Sequence, residues 1–187
     1  MQNLFLQFLK SLGEDPSREG LKKTPERWEK AMQFLTSGYN KSLEETVNSA
    51  LFPADTQGMV LIKNIDFSSL CEHHILPFTG KVHVAYFPGK HVIGISKIPR
   101  IIELFARRLQ TQERLGQQVC TALDKVLKPK GVGVVIEASH FCMQMRGVEK
   151  VGSSVVTQHY SGKLESDSAL RQEFLSTLSL SRRSEIE

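Results

Sequence analysis

The chain has 187 residues, 40% of them hydrophobic and 24% charged, which is enough to bury the core of one globular domain with an appended segment. A net charge of +4, one Trp and three Tyr give little support to a nucleic-acid-binding surface, and three cysteines do not suggest a disulfide framework. No segment approaches the ~20 apolar residues of a membrane span and no signal peptide is recognisable, so we expect a cytoplasmic protein without membrane or nucleic-acid partners.

The N-terminal segment, residues 1–49, is predicted to be helical. Apolar residues recur at helical spacing over 2–12, and the pattern stops at Gly13. A second helix is predicted to begin at Thr24-Pro25, because Thr is a good N-cap and Pro suits the first helical position, and to run to Gly38. We expect residues 50–187 to form the main domain.

Strands predominate after Met59. The predicted strands and extended stretches cover 60–67, 81–87, 92–95, 132–138 and 140–145, the last with an extension over 153–157. A helical region over 99–127, with a break near Thr111, separates them, and a final helix over 168–178 precedes a polar tail. This ββααββ order predicts an antiparallel sheet with helices on one face, which is an α+β fold.

Two short clusters combine sulfur and imidazole side chains, namely Cys71-Glu-His-His74 and His140-Phe-Cys142. Cys71 and His74 are close enough in sequence to converge from one turn. If 140–145 is a strand, side-chain alternation places Cys142 on the same side as His140 and Arg146. Three ligands, Cys71, His74 and Cys142, would leave the fourth position of a tetrahedral zinc ion open, as catalytic zinc sites require.

The clusters alone leave other interpretations open. The cysteines could form a disulfide, or be buried as small apolar groups, or bind a structural zinc ion. A structural zinc site usually shows four ligands in two close pairs, and the second pair is missing here. Cys120 lies among apolar residues of a predicted helix, so we expect it to pack in the core.

Four motifs together resemble the GTP cyclohydrolase I family. They are Cys71-Glu-His-His74, Gly94-Ile-Ser-Lys-Ile-Pro-Arg100, Gln112-Glu-Arg-Leu115 and His140-Phe-Cys-Met-Gln-Met-Arg-Gly147, in the family's order and at its spacing. The match extends from about Glu14 to Phe174, although residues 155–163 resemble the family only loosely. The resemblance implies a tunnelling-fold unit, with a four-stranded antiparallel sheet and helices on one face, and Zn²⁺ as cofactor.

The resemblance also implies the reaction. The family hydrolyses the imidazole ring of GTP, releases C8 as formate and rearranges the remainder to 7,8-dihydroneopterin triphosphate, the first step of tetrahydrofolate and pterin biosynthesis. Zinc would be held by Cys71, His74 and Cys142. By similarity, His140 would protonate the purine nitrogen next to C8, and His73 would move protons beside the ribose. Imidazole suits both roles because it titrates near neutral pH.

Substrate-binding residues follow from the same resemblance. Glu113 would accept hydrogen bonds from guanine and Gln112 would add an amide contact to the base, although the Gln-Glu-Arg run by itself would be interpreted as a helix surface. A Gly-x-x-x-x-Gly-Lys-Ser/Thr phosphate loop is absent from the sequence, so cations and a hydroxyl must bind the triphosphate. The residues implied are Ser96, Lys97, Arg100 and Arg146, with Arg27 and Lys30 from a neighbouring subunit. The family is a homodecamer of two stacked pentamers with its sites at subunit interfaces.

Two competing functions remain open from the sequence. One is a nitrile reductase related to those of queuosine biosynthesis, which use a nucleophilic cysteine and NADPH. The other is a zinc-stabilised nucleotide-binding module without catalytic activity, which would return GTP intact.

Overall fold

A computed structural model of the chain describes residues 1–180, so the predicted polar tail beyond them lies outside the described residues. The helices are α1 (Gln2–Ser11), α2 (Thr24–Leu35), a 3-10 turn (Ser37–Asn40), α3 (Leu43–Val47), α4 (Lys97–Ala106), α5 (Gln112–Leu127), α6 (Phe141–Gln144), α7 (Lys163–Ser166) and α8 (Ser168–Leu180). The strands are β1 (Leu51–Pro53), β2 (Val60–Cys71), β3 (Pro77–Phe87), β4 (His91–Ile93), β5 (Leu109–Gln110), β6 (Gly131–His140) and β7 (Val155–Gly162). No helix of this described part is long and apolar enough to cross a bilayer.

The main sheet has the strand order β5-β2-β3-β6-β7. Its four long strands pair antiparallel in succession, and β5 adds a short parallel edge through Leu70–Leu109 and Cys71–Gln110. The predicted α+β plan and ββααββ order are confirmed. The short parallel strand and a separate two-stranded pairing of β1 with β4 were not predicted.

Helices pack against both faces of the sheet. On one face α4 and α5 cover a large apolar core, which includes Val82, Val84, Ile98, Ile101, Leu115, Val119, Leu123, Val134 and Ile136. The alternation of side chains along β3 and β6 sends Ala85 and Val135 to the other face, where they pack with Phe174 of α8 and Leu164 of α7. The prediction of helices on one face is therefore incomplete.

The predicted break near Thr111 is confirmed, and it is the start of α5. The side chain of Thr111 accepts a hydrogen bond from the N–H of Arg114 at 3.2 Å, which is the N-cap pattern. The cap places Gln112 and Glu113 in the first turn of the helix. The capping residue Thr111 therefore fixes the positions of Gln112 and Glu113 at the N-terminal end of α5.

The predicted strand over 140–145 is wrong. His140 is the last residue of β6 and pairs with Phe78, and the chain then forms the single helical turn α6, closed by Met145 N–H donating to Phe141 C=O at 3.0 Å. Within residues 1–180 no strand pairs with the chain past His140, because β3 begins at Pro77 and β7 pairs with β6 only as far as Ala138. A backbone without a ladder partner satisfies its polar groups locally, which here means helically.

The N-terminal segment is tied to α4 through Gly38. The N–H of Gly38 donates to Arg107 C=O, and Arg108 Nη2 donates to Gly38 C=O, each at 2.9 Å. A Cβ at Gly38 would lie 2.2 Å from the carbonyl oxygen of Leu104, so only glycine fits this approach. The proposed boundary near residue 49 stays a prediction.

Candidate active site

Cys71, His74 and Cys142 meet at one point, with their ligand atoms all within 4.8 Å of one another. Cys71 ends β2, and a tight turn closed by Ile75 N–H donating to Cys71 C=O at 2.8 Å brings His74 back toward it. Cys142 reaches the group from α6 rather than from the predicted strand. The two clusters recognised in the sequence therefore form one group.

The chemistry of this group fits a soft divalent cation. The two cysteines are free thiols, Cys71 buried and Cys142 half-buried. Burial, followed by the neighbouring Cys71 thiol, raises the pKa of Cys142, since two adjacent thiolates would repel each other. A cation between them removes this repulsion, and two sulfurs with one imidazole suit zinc with one coordination position left open.

Two further predicted residues lie against the metal-ligand group. His73 places its Nδ1 3.8 Å from the sulfur of Cys71. The guanidinium of Arg146 lies beside the predicted ligand His74, with 2.8 Å between Nη1 and His74 Nε2. The structure thus places an imidazole and a cation beside the group, where a bound anionic substrate would meet both.

His140 is held in a defined orientation. Its ring stacks on Phe78 with 4.7 Å between centroids and 5° between planes, and its Nε2 lies 2.8 Å from Gln112 Oε1. Gln112 Nε2 donates to the carbonyls of Ile136 at 3.1 Å and Val155 at 2.9 Å, so its oxygen must face the histidine. That assignment places a proton on Nε2 of His140 and leaves Nδ1 to exchange protons with a ligand.

Burial lowers the pKa of His140, and the nearby Glu113 partly opposes this shift. The neutral imidazole is therefore favoured near neutral pH. Gln112 itself is 1% exposed, and its amide is engaged by the chain's own groups. The contact of Gln112 with a base stays a prediction, and the structure shows it holding His140 instead.

Two of the predicted phosphate-binding residues share a cavity that none of the predicted metal ligands lines. Lys97 and Arg100 line a cavity of about 460 Å³ between α4 and the N-terminal segment. Lys97 Nζ donates to Thr46 C=O at 3.2 Å. Other charged residues that line the cavity are Lys41, Glu45, Glu103 and Arg107. Among the described residues that line it, none is a predicted metal ligand or catalytic histidine.

The remaining predicted residues are exposed. Ser96 immediately precedes α4, and Glu113 stands in the first turn of α5. Arg27 and Lys30 lie on α2, where Lys30 pairs with Glu26 at 2.6 Å. The chain by itself therefore brings together the metal ligands, His73 and Arg146, but not the whole predicted substrate site.

Sequence reasoning missed Phe78, whose ring packs on His140. The two residues are register partners on β3 and β6, and such pairing across strands leaves no local sequence signal. It also missed Arg114, which pairs with Glu72. Glu72 and Arg114 both lie inside recognised motifs, next to Cys71 and Glu113 respectively. Their opposite charges were the sequence signal that could have indicated an ion pair.

The fold and the site define the class of protein: an α+β domain with a metal-ligand group of two cysteines and one histidine, and a second histidine held nearby. Sequence comparisons with known proteins point to one enzyme family. The family model for GTP cyclohydrolase I matches residues 1–179. The GTP cyclohydrolase 1 of Leptospira biflexa is 56% identical over 94% of this chain and 96% of its own length. That of Porphyromonas gingivalis is 53% identical, over 95% and 92% respectively.

The chain therefore belongs to the GTP cyclohydrolase I family and is an enzyme of that class. A relative of the same name from Synechococcus is 57% identical over 91% of this chain and 74% of its own length. A solved structure of the archaeosine synthase QueF-Like in the apo form aligns with a TM-score of 0.49 and 18% identity, covering 58% of this chain and 97% of that one.

Proposed function

We propose that this enzyme converts GTP and water to 7,8-dihydroneopterin triphosphate and formate, with Zn²⁺ held by Cys71, His74 and Cys142, and so begins tetrahydrofolate and pterin biosynthesis. The observation that carries the proposal is the convergence of these three ligand atoms within 4.8 Å in a member of this family. Zinc bound there supplies Lewis acidity that activates water for attack on C8 of guanine.

The proton transfers are assigned to His140 and His73. A neutral His140 with Nε2–H directed at Gln112 presents an unprotonated Nδ1. That nitrogen accepts a proton as water adds to C8 and returns it to the purine nitrogen, which allows the C8–N bond to break. His73, beside Cys71, then moves protons on the ribose side during rearrangement and ring closure.

Substrate recognition is assigned to charged groups on three elements. Glu113 accepts hydrogen bonds from the N1–H and exocyclic amine of guanine, a pattern that a carboxylate matches. The triphosphate is bound by Ser96, Lys97, Arg100 and Arg146, with Arg27 and Lys30 from a neighbouring subunit. The cavity lined by Lys97 and Arg100 supports this part of the proposal, because both cations already face one space.

A homodecamer of two stacked pentamers, with sites at subunit interfaces, completes the proposal. Within the described chain β7 pairs only with β6, and β2 pairs on its second side only at Leu70 and Cys71, so both sheet edges offer unpaired backbone groups. If each edge pairs with the opposite edge of a neighbouring copy, the copies form a closed ring, which is the arrangement proposed for the pentamer. In this assembly a neighbouring chain supplies Arg27 and Lys30, which lie exposed on α2. A cytoplasmic location stays a prediction.

The test is to incubate zinc-loaded protein with GTP, quantify formate, and oxidise the product to detect neopterin fluorescence. Both signals are expected, and both should vanish on zinc removal and in Cys142→Ala. Formate without neopterin would remove the rearrangement from the proposal. Intact GTP recovered from folded, zinc-loaded oligomer would favour the binding module, and NADPH consumption with a nitrile substrate would favour the reductase.

A further inference from the structure

Arg114 joins two parts of the proposed site that are 42 residues apart in sequence. Its guanidinium forms an ion pair with the carboxylate of Glu72 through Nη2, which also donates to Leu109 C=O at 3.0 Å. Its Nε donates to Gln110 Oε1 at 2.8 Å. The planar guanidinium thus spans three partners with donors on two separate nitrogens in a fixed geometry, which the single ammonium nitrogen of a lysine does not offer.

Gln110 makes this arrangement rigid. Its side chain is 1% exposed and its Nε2 donates to Phe105 C=O at 3.0 Å and to Gln118 Oε1 at 2.7 Å. Its backbone carbonyl accepts the N–H of Glu72 at 2.9 Å. Glu72 is therefore attached to the start of α5 by both its backbone and its side chain.

Each partner of this ion pair is a sequence neighbour of a proposed site residue. Glu72 directly follows the ligand Cys71 and precedes His73, and Arg114 directly follows Glu113. The pair therefore fixes the metal-binding turn, residues 71–75, relative to the carboxylate proposed to bind guanine. Both side chains remain partly exposed, at 43% for Arg114 and 33% for Glu72, and ion pairs this exposed contribute little to folding stability.

We propose that the Glu72–Arg114 ion pair is a positioning device that aligns the metal-binding turn with Glu113, so that metal retention and guanine binding depend on one contact. The proposal rests on the proposed function of the site. Arg114 acts through its contact with Glu72, the neighbour of Cys71, and is not itself a catalytic residue. Groups that hydrogen-bond metal ligands commonly change metal affinity by about 10–100-fold when removed, and since Glu72 adjoins Cys71 along the backbone without contacting its sulfur, the lower end of that range sets the expected scale.

The test uses the full chain in its native oligomer, with Arg114→Gln, Glu72→Gln and the double variant. Zinc release to a colorimetric chelator is timed without GTP, and KM and kcat for GTP are then measured at saturating zinc. We expect each single variant to release zinc about 10-fold faster and to raise KM more than it lowers kcat. The double variant should be no worse than either single variant, because all three lose the same contact.

The matched control is Lys81→Gln, which removes the Lys81–Asp66 ion pair, an exposed pair between β3 and β2. It should leave zinc release and KM unchanged. Wild-type zinc release and KM in Arg114→Gln would overturn the proposal, and so would additive losses in the double variant. If Arg114→Gln fails to fold, Glu72→Gln removes the same pair from an exposed turn and decides the question.

Zinc release requires no turnover, so it separates two failures. An unaltered protein that retains zinc but leaves GTP intact would refute the proposed function. Zinc release that is the same in the three variants as in the unaltered protein would refute the positioning role alone.

Discussion

Gln112 Oε1 accepts a hydrogen bond from His140 Nε2 at 2.8 Å while the amide nitrogen of Gln112 donates to two strand carbonyls. The amide nitrogen donates and the amide oxygen accepts, so the group cannot reverse without placing its oxygen against the carbonyl oxygens of Ile136 and Val155. The start of α5 therefore sets the tautomer of the histidine at the end of β6. This link connects the helix that carries Glu113 with the strand that leads to Cys142.

Replacing Gln112 with Met should reduce activity without removing zinc. The change keeps the volume but removes the hydrogen bonds that Gln112 donates to the carbonyls of Ile136 and Val155, which we expect to cost about 1–3 kcal/mol of unfolding free energy. The loss of a fixed orientation of His140 should lower kcat by about 10²-fold, the usual contribution of a positioned acid–base group. Urea unfolding, zinc content and kcat test the three parts. Gln117→Met, at an exposed position on the same helix, is the control. An unchanged kcat would show that Gln112 does not orient His140.

Cysteine variants should separate the metal ligands from the core cysteine. Cys142→Ala should bind no stoichiometric zinc and give no detectable formate, because two remaining ligands hold zinc poorly. Cys120→Ala should keep both zinc and activity, since Cys120 is 2% exposed in the core and burial raises its pKa to about 11. Metal analysis and the formate assay check this pair. Full zinc content in Cys142→Ala would exclude Cys142 as a ligand.

The close contact at Gly38 predicts a specific loss of stability. A methyl group there would overlap the carbonyl oxygens of Leu104 at 2.2 Å and Arg107 at 2.8 Å. We expect Gly38→Ala to lower the unfolding free energy by about 1–3 kcal/mol, the usual cost of overpacking. Gly58→Ala is the control, because its added carbon would meet only Thr56 Oγ1 at 3.6 Å. Equal stabilities of the two variants in urea would contradict the prediction.

Stability should fall as the pH drops through the titration range of His159. Its ring packs against Gly116 of α5, its Nε2 is buried without a hydrogen-bond partner, and burial lowers its pKa below the ordinary value of 6.5. Between the lowered folded pKa and 6.5 the unfolded chain binds more protons, so the unfolding free energy rises with pH in that window. His140 contributes with the same sign.

Urea unfolding at several pH values between 5 and 8 measures this dependence, a range chosen to bracket an ordinary histidine pKa of about 6.5. His159→Leu should flatten the curve but leave the part due to His140. Carboxylates with lowered pKa, such as Glu45, lose their contribution only below about 4.5, outside the window. A variant curve parallel to that of the unaltered protein would exclude His159 as a source.

The sequence by itself determined the α+β plan, the break near Thr111 and the two clusters that form the metal-ligand group. These features depend on local periodicity, turn signals and ligand type, which short chain segments display. The predicted strand over 140–145 failed because alternation within a segment does not reveal whether a neighbouring strand is present to pair with it.

Only the tertiary structure decided how the site residues relate to one another. The burial of Gln112 under His140 and the pairing of Arg114 with Glu72 join residues 28 and 42 positions apart. Such contacts arise where β5 pairs with β2 and α5 packs against β6 and β7. These contacts depend on how distant segments pack together, and no local pattern in the sequence reports that packing.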